Sequence, residues 1–125
     1  MTGVFTADFL VELSKIALKH IEKEWAIELI SRLYWYTVEF GLIKEGNALK
    51  VYGAGILSSS GETKYSIDSD IPARIPYDIK TIFATPYIKD KFQEQYFVID
   101  SYEQLYNSIP EIEMLLEEEL KLANQ

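Results

Sequence analysis

The sequence predicts a mainly α-helical protein with a small β-hairpin element. Three observations carry this reading. Apolar residues recur at helical spacing near both ends of the chain, a long aromatic segment stops at a glycine, and a Gly-Asn pair separates two short β-suited runs. The chain of 125 residues suits one domain or fragment spanning residues 1–125. At 48% hydrophobic and 14% aromatic it is too apolar to be disordered.

The elements follow in order. Residues 6–20 place Phe9, Leu10, Leu13, Ile16 and Ala17 on one helical stripe, with Thr6 or Asp8 as the expected N-cap. A second helix is expected from Trp25 to Phe40, ended by Gly41. Leu42–Lys44 and Ala48–Tyr52 flank Gly46-Asn47 and read as a hairpin. The Gly- and Ser-rich "GAGILSSSGE" follows, and residues 66–76, punctuated by Asp and Pro, read as loop. One or two helical turns are expected over Asp78–Phe83, and a strand in "QYFVID". Ser101 with Gln104 makes a capping-box opening for a further helix. The last helix starts near Ser108-Ile109-Pro110 and carries Ile112, Leu115, Leu116, Leu120 and Ala123 on its apolar stripe.

Charge and composition exclude several functions. Twelve basic residues against twenty acidic ones give a net charge of −8, which repels phosphate backbones, so no nucleic-acid partner is expected. The absence of cysteine removes disulfides, zinc–thiolate sites and thiol nucleophiles together. No apolar run approaches the roughly 18 residues of a membrane span, and "MTGVFTADFLVEL" lacks the form of a signal peptide. No membrane partner and a cytoplasmic location are expected.

One residue is out of place. In "RLYWYTVEFGL" the helix turns apolar almost all round, and Glu39 falls in its last turn, where burial and the helix dipole both disfavour a carboxylate. Four resolutions are open: protonation, pairing with a distant arginine, rotation to a surface, or a bound cation. Other motifs are weaker. "GAGILSSSGE" has neither Walker nor dinucleotide spacing, and Gly53 and Gly55 suit a sharp turn or close approach of backbone to a ligand. Ser58, Ser59 and Ser60 have no nearby histidine to activate them. "DSD" at Asp68–Asp70 lacks the rest of a calcium loop, and Glu117–Glu119 read as a wet helix face. His20, the single histidine, suits a helix C-terminus and cannot by itself form a two-histidine site.

Taken together, "RLYWYTVEFGLIKEG", "YGAGILSS" and "TPYIKDKFQEQYFVIDSYEQL" resemble the pterin-dependent aromatic amino acid hydroxylases, and among them the bacterial phenylalanine 4-monooxygenases. The resemblance spans Ala7 to Asn107 and implies the C-terminal portion of that family's mostly helical catalytic fold. It implies a function too: hydroxylation of phenylalanine to tyrosine with dioxygen, iron(II) and a tetrahydropterin. The family's iron is held by two histidines and a glutamate, a facial triad with open positions. By the same resemblance Glu39 is the glutamate ligand, and the catalytic Tyr34 lies near iron and pterin. Trp35 belongs to the substrate-pocket wall, while Gly55, Ser58 and Glu62 line the substrate side. Ser58 is also implied to hydrogen-bond an iron-bound histidine, and Tyr36 favours the phenylalanine type.

The family's His-x-x-x-x-His segment lies just upstream of the stretch matched by "FTADF", and this sequence does not contain it. The resemblance therefore implies one of three iron ligands here, and the expectation is a chain that binds neither iron nor pterin and is inactive by itself. It is read as a piece of a longer hydroxylase. The alternative is a non-catalytic module on the same scaffold that takes an aromatic ligand or a protein. Exposure of the aromatic face of the 25–40 helix would favour a homodimer or swapped oligomer.

Overall fold

The computed structural model describes residues 2–59 and 61–124, with side chains described from Ala7 onward. It contains a helical layer and a four-stranded mixed sheet whose two faces are both covered. Helix α1 runs Thr2–Lys19 and α2 runs Glu24–Tyr34, followed by a π-helical turn, Trp35–Glu39. The start of α1 differs from expectation: Asp8 lies inside the helix, and the Thr6 side chain lies outside those described. Phe9, Leu13 and Ile16 are buried as their spacing requires.

The hairpin forms where predicted. Strands β1 (Leu42–Glu45) and β2 (Ala48–Val51) are antiparallel, and Glu45 faces Ala48 across a two-residue Gly46-Asn47 turn. Helices α3 (Ala54–Ser58) and α4 (Glu62–Asp68) occupy the Gly/Ser-rich stretch and the start of the expected loop. Strand β3, Ala73–Pro76, lies in the same expected loop. It is an edge strand, which is where a proline is tolerated, and its four residues show no alternation in burial. Next come α5 (Ile79–Phe83), β4 (Gln95–Ile99), α6 (Tyr102–Asn107) and α7 (Ile109–Ala123). Asp78 and Ser101 cap α5 and α6 by accepting from the Thr81 and Gln104 amides. The apolar stripe of α7 is buried at Ile112, Leu115, Leu116 and Leu120, but Ala123 is exposed, beyond the reach of the core.

The strand order is β2-β1-β4-β3, with β4 parallel to both neighbours. Alternation along β4 divides the interior in two. Phe97 and Ile99, with Ile43 of β1, join the main core against α1, α2, α5 and α7. Tyr96, with Leu42, faces a smaller cluster around Phe40 and Ile56, packed against Trp35, Val51, Tyr65, Ile67 and Val98. Two covered faces explain why "YFVI" reads as an unbroken apolar run. The smaller cluster supports the candidate site.

Candidate functional site

The long aromatic helix changes its winding just before Glu39. Phe40 N–H donates to the Trp35 carbonyl at 2.8 Å, five residues back, instead of to residue 36. The Thr37 hydroxyl donates to the Leu33 carbonyl at 2.6 Å, a back-bond that competes with the regular ladder. Single π turns of this kind are frequent at functional sites. The consequence is local and specific. Tyr34 and Glu39 are brought together, and the Tyr34 hydroxyl donates to Glu39 Oε1 at 2.9 Å. That bond, then burial and the negative charge beside it, raise the Tyr34 phenol above its ordinary value, so it stays a donor.

Glu39 is half-buried, so it is not the fully enclosed carboxylate of a continuous α-helix. No arginine is its partner in the hydrogen bonds and ion pairs of the described residues. Arg32 pairs with Glu28 at 2.8 Å and donates to the Phe83 carbonyl. The phenol of Tyr34 is the partner that the sequence reading did not consider.

Gly53 and Gly55 explain themselves against this turn. A Cβ on Gly53 would collide with the Glu39 carbonyl and lie 2.6 Å from the Gly41 nitrogen. A Cβ on Gly55 would lie 2.8 Å from the Phe40 ring and 2.9 Å from Glu39 Oε2. Both glycines therefore let the start of α3 close onto the π turn.

Trp35 is held by three neighbours. Its indole stacks with Phe40 at 4.5 Å and with Tyr87 at 4.8 Å between ring centres. Its Nε1–H donates to Gln93 Oε1 at 3.1 Å. The two remaining site residues fall differently. Ser58 is exposed, and its hydroxyl donates to the Gly55 carbonyl at 3.2 Å. Glu62 is buried, and its Oε2 accepts from the Tyr96 hydroxyl at 2.6 Å and from Gln93 N–H at 3.2 Å. It also lines a cavity of about 390 Å³ with Phe40, Ser59, Lys89 and Phe92.

Structure thus joins Tyr34, Glu39 and Gly55 directly and sets Trp35 beside them through Phe40. Glu62 is tied to Trp35 through Gln93. Sequence reasoning missed Phe40, Tyr87, Tyr96 and Gln93. The aromatic density of the quoted motifs was the available signal for the rings, while Gln93 in "KFQEQYF" carried none. Tyr36 is a core residue: it is buried, edge-on to Phe97, and donates to the Pro86 carbonyl at 2.8 Å. His20 Nε2 and the Tyr52 hydroxyl are buried without a hydrogen-bond partner.

Among the described residues no three His, Cys, Asp or Glu side chains converge as a metal site, and no helix is long and apolar enough to cross a membrane. Glu39 offers one carboxylate, with one oxygen already accepting from Tyr34. The donor set of the described residues therefore does not fit an iron(II) ion unaided.

The fold is that of a known class. The model of the biopterin-dependent aromatic amino acid hydroxylases matches residues 4–124, and the chain belongs to that family. Its relatives include the phenylalanine-4-hydroxylase of Ralstonia nicotianae, 53% identical over 83 residues, covering 66% of this chain and 26% of that protein. The phenylalanine-4-hydroxylase of Chromobacterium violaceum is 46% identical over 102 residues, covering 82% of this chain and 34% of its own. The iron- and phenylalanine-bound crystal structure of the C. violaceum phenylalanine hydroxylase superposes with a TM-score of 0.81 at 41% identity. That match covers 90% of this chain and 43% of the solved one. The chain spans about a quarter to a third of the length of these two curated relatives.

Proposed function

We propose that this chain carries the carboxylate arm and aromatic wall of a phenylalanine hydroxylase site, and that hydroxylation requires two further ligands from outside it. The observation that carries the reading is the π turn, which joins Tyr34 to Glu39, sets Glu39 against Gly55 and stacks Trp35 on Phe40 in a family member. In this reading Glu39 is the residue that would ligate iron, and Tyr34 fixes which carboxylate oxygen is free. Trp35 supports the ring of the amino acid substrate, and Gly55, Ser58 and Glu62 bound the substrate side.

Bound together, iron and tetrahydropterin supply the oxygen chemistry, and the protein's part is orientation and exclusion of water. The residues of this chain divide that part. Glu39 and Tyr34 hold the polar end, and the stacked rings of Trp35, Phe40 and Tyr87 provide the apolar one.

Two titrations test the proposal. L-phenylalanine should shift the Trp35 indole resonance in a ¹H–¹⁵N spectrum and leave that of Trp25 in place. Iron(II) should bind weakly, with no tyrosine formed from phenylalanine in the presence of tetrahydropterin. Tight stoichiometric iron binding, or turnover, would overturn the ligand argument. An unmoved Trp35 resonance would overturn the pocket.

A further inference from the structure

Gln93 lies within an otherwise aromatic interior, and all four of its polar groups are used. Its side-chain oxygen accepts from the Trp35 indole at 3.1 Å, and its side-chain nitrogen donates to the Ile88 carbonyl at 2.7 Å. Its backbone N–H donates to Glu62 at 3.2 Å, and its carbonyl accepts from the Tyr65 hydroxyl at 3.0 Å. At 2% exposure none of these bonds exchanges readily with water.

The arrangement is selective. A glutamine amide presents an acceptor and a donor side by side, and here each is given one partner. The acceptor reads the indole, while the donor holds the backbone of the segment that carries Tyr87. Tyr87 in turn stacks on the same indole. The indole is therefore fixed twice by one segment, at its edge through Gln93 and at its face through Tyr87. Tethered at Cβ, the indole reorients about χ1 and χ2; stacking on its faces suits either of the two χ2 orientations that share one plane, and the Nε1–H bond selects between them.

We infer that Gln93 is a positioning residue, which selects the χ2 orientation of the Trp35 indole and so shapes the wall that an aromatic amino acid ring meets. This rests on the reading of Trp35 as pocket wall given above. Gln93 does not contact the reacting atoms and acts only through the indole. Glu62 is the anchor of the device, because its carboxylate holds the Gln93 backbone and Tyr96 at the same oxygen.

The test uses Gln93→Met, which keeps length and volume while removing both side-chain hydrogen bonds. Two readouts are followed: hydrogen exchange of the Trp35 indole N–H, and L-phenylalanine affinity by titration. The indole proton should exchange faster, and affinity should fall roughly tenfold, the size expected for one buried hydrogen bond. In a Trp35→Phe background, which has no N–H to be held, the same substitution should leave affinity unchanged.

An equal loss in both backgrounds would make Gln93 merely structural and overturn the inference. So would an indole proton whose exchange does not change. Should Gln93→Met fail to fold, Gln93→Asn serves instead, since it keeps the amide but draws it back by one methylene. If wild-type phenylalanine leaves Trp35 untouched, the pocket reading itself fails, and the indole exchange alone then decides whether Gln93 sets the ring.

Discussion

Tyr34 and Glu39 are hydrogen-bonded at 2.9 Å although they lie five residues apart on what would otherwise be one helix. On a regular α-helix such a pair sits about 140° apart around the axis and does not meet. The π turn is what makes the contact, and the contact settles the polarity of an otherwise aromatic surface. Replacing Tyr34 by Phe should cost about 0.5–1.5 kcal/mol of stability by denaturant unfolding, the ordinary net worth of one hydrogen bond. A change well below that range would mean that water substitutes fully for the phenol.

Gly55→Ala tests the closeness of α3 to the same carboxylate. The added methyl has no room beside the Phe40 ring and Glu39 Oε2, both within 2.9 Å of the new Cβ. Overpacking of this kind costs about 1–3 kcal/mol, so a clear drop in melting temperature is expected. An unchanged melting temperature would show that α3 can move away from the π turn freely.

Glu62 holds two buried donors at a single carboxylate oxygen. Glu62→Ala leaves two buried donors, Tyr96 O–H and Gln93 N–H, without their acceptor. At ~1–3 kcal/mol for each of the two orphaned groups, the loss should be roughly 2–6 kcal/mol by chemical denaturation. Glu62→Gln keeps an acceptor oxygen and should lose less. Equal losses for the two variants would show that charge, not hydrogen bonding, is what the site requires.

Alkaline pH should unfold the protein through its tyrosines. Burial is the main cause that raises Tyr36, Tyr52, Tyr77 and Tyr96 above the ordinary 10, with Tyr77 pushed up to about 12. In the unfolded chain these phenols lose their protons near 10, while the folded chain keeps them. The unfolded state then binds fewer protons, and stability falls as pH rises. The contribution is whole below pH 10 and declines from there upward, for Tyr77 until about 12. Denaturant midpoints measured from pH 8 to 11 should be flat and then drop, together with the rise of phenolate absorbance. A denaturant midpoint that stays flat all the way to pH 11 would contradict this.

Asp78 offers a control at the other end of the scale. Its carboxylate caps α5 through the Thr81 hydroxyl and amide, and these hydrogen bonds hold it below the usual carboxylate range. Asp78→Ala should cost about 1 kcal/mol in thermal unfolding at neutral pH. Because the folded value is the lower one, the difference between wild type and variant should vanish as pH falls through it. A difference that persists at pH 2 would exclude the carboxylate as its source.

Much of this fold is legible because local chemistry and tertiary structure agree. Phe9, Leu13 and Ile16, Gly46-Asn47, Ser101 with Gln104, and Pro110 each state a local rule that the fold obeys. Glu39 was visible because it breaks one. The α3–α4 region was hidden because Gly53, Gly55 and the serines lower helix propensity, and the helix there is imposed by packing on the π turn. Strand β3 was hidden because Arg74 and Pro76 are poor strand signals that an edge position tolerates. Gln93 was invisible for a different reason: its partners come from the π turn, from α4 and from the loop just before Gln93, and no periodicity encodes that meeting.

The parallel pairing of Leu42 with Val98 carries a kinetic consequence. Leu42 follows the π turn almost at once, whereas Val98 follows Gln93 and Tyr96, so pairing the two strands must close the long stretch of chain between them. Such a distant closure is slow relative to hairpin or helix formation. The turn that aims Glu39 can therefore form early, while the wall around Trp35 waits for β4. The two ends of the cleft thus rest on closures of very different span, five residues for the Tyr34–Glu39 contact and 58 for the Trp35–Gln93 contact.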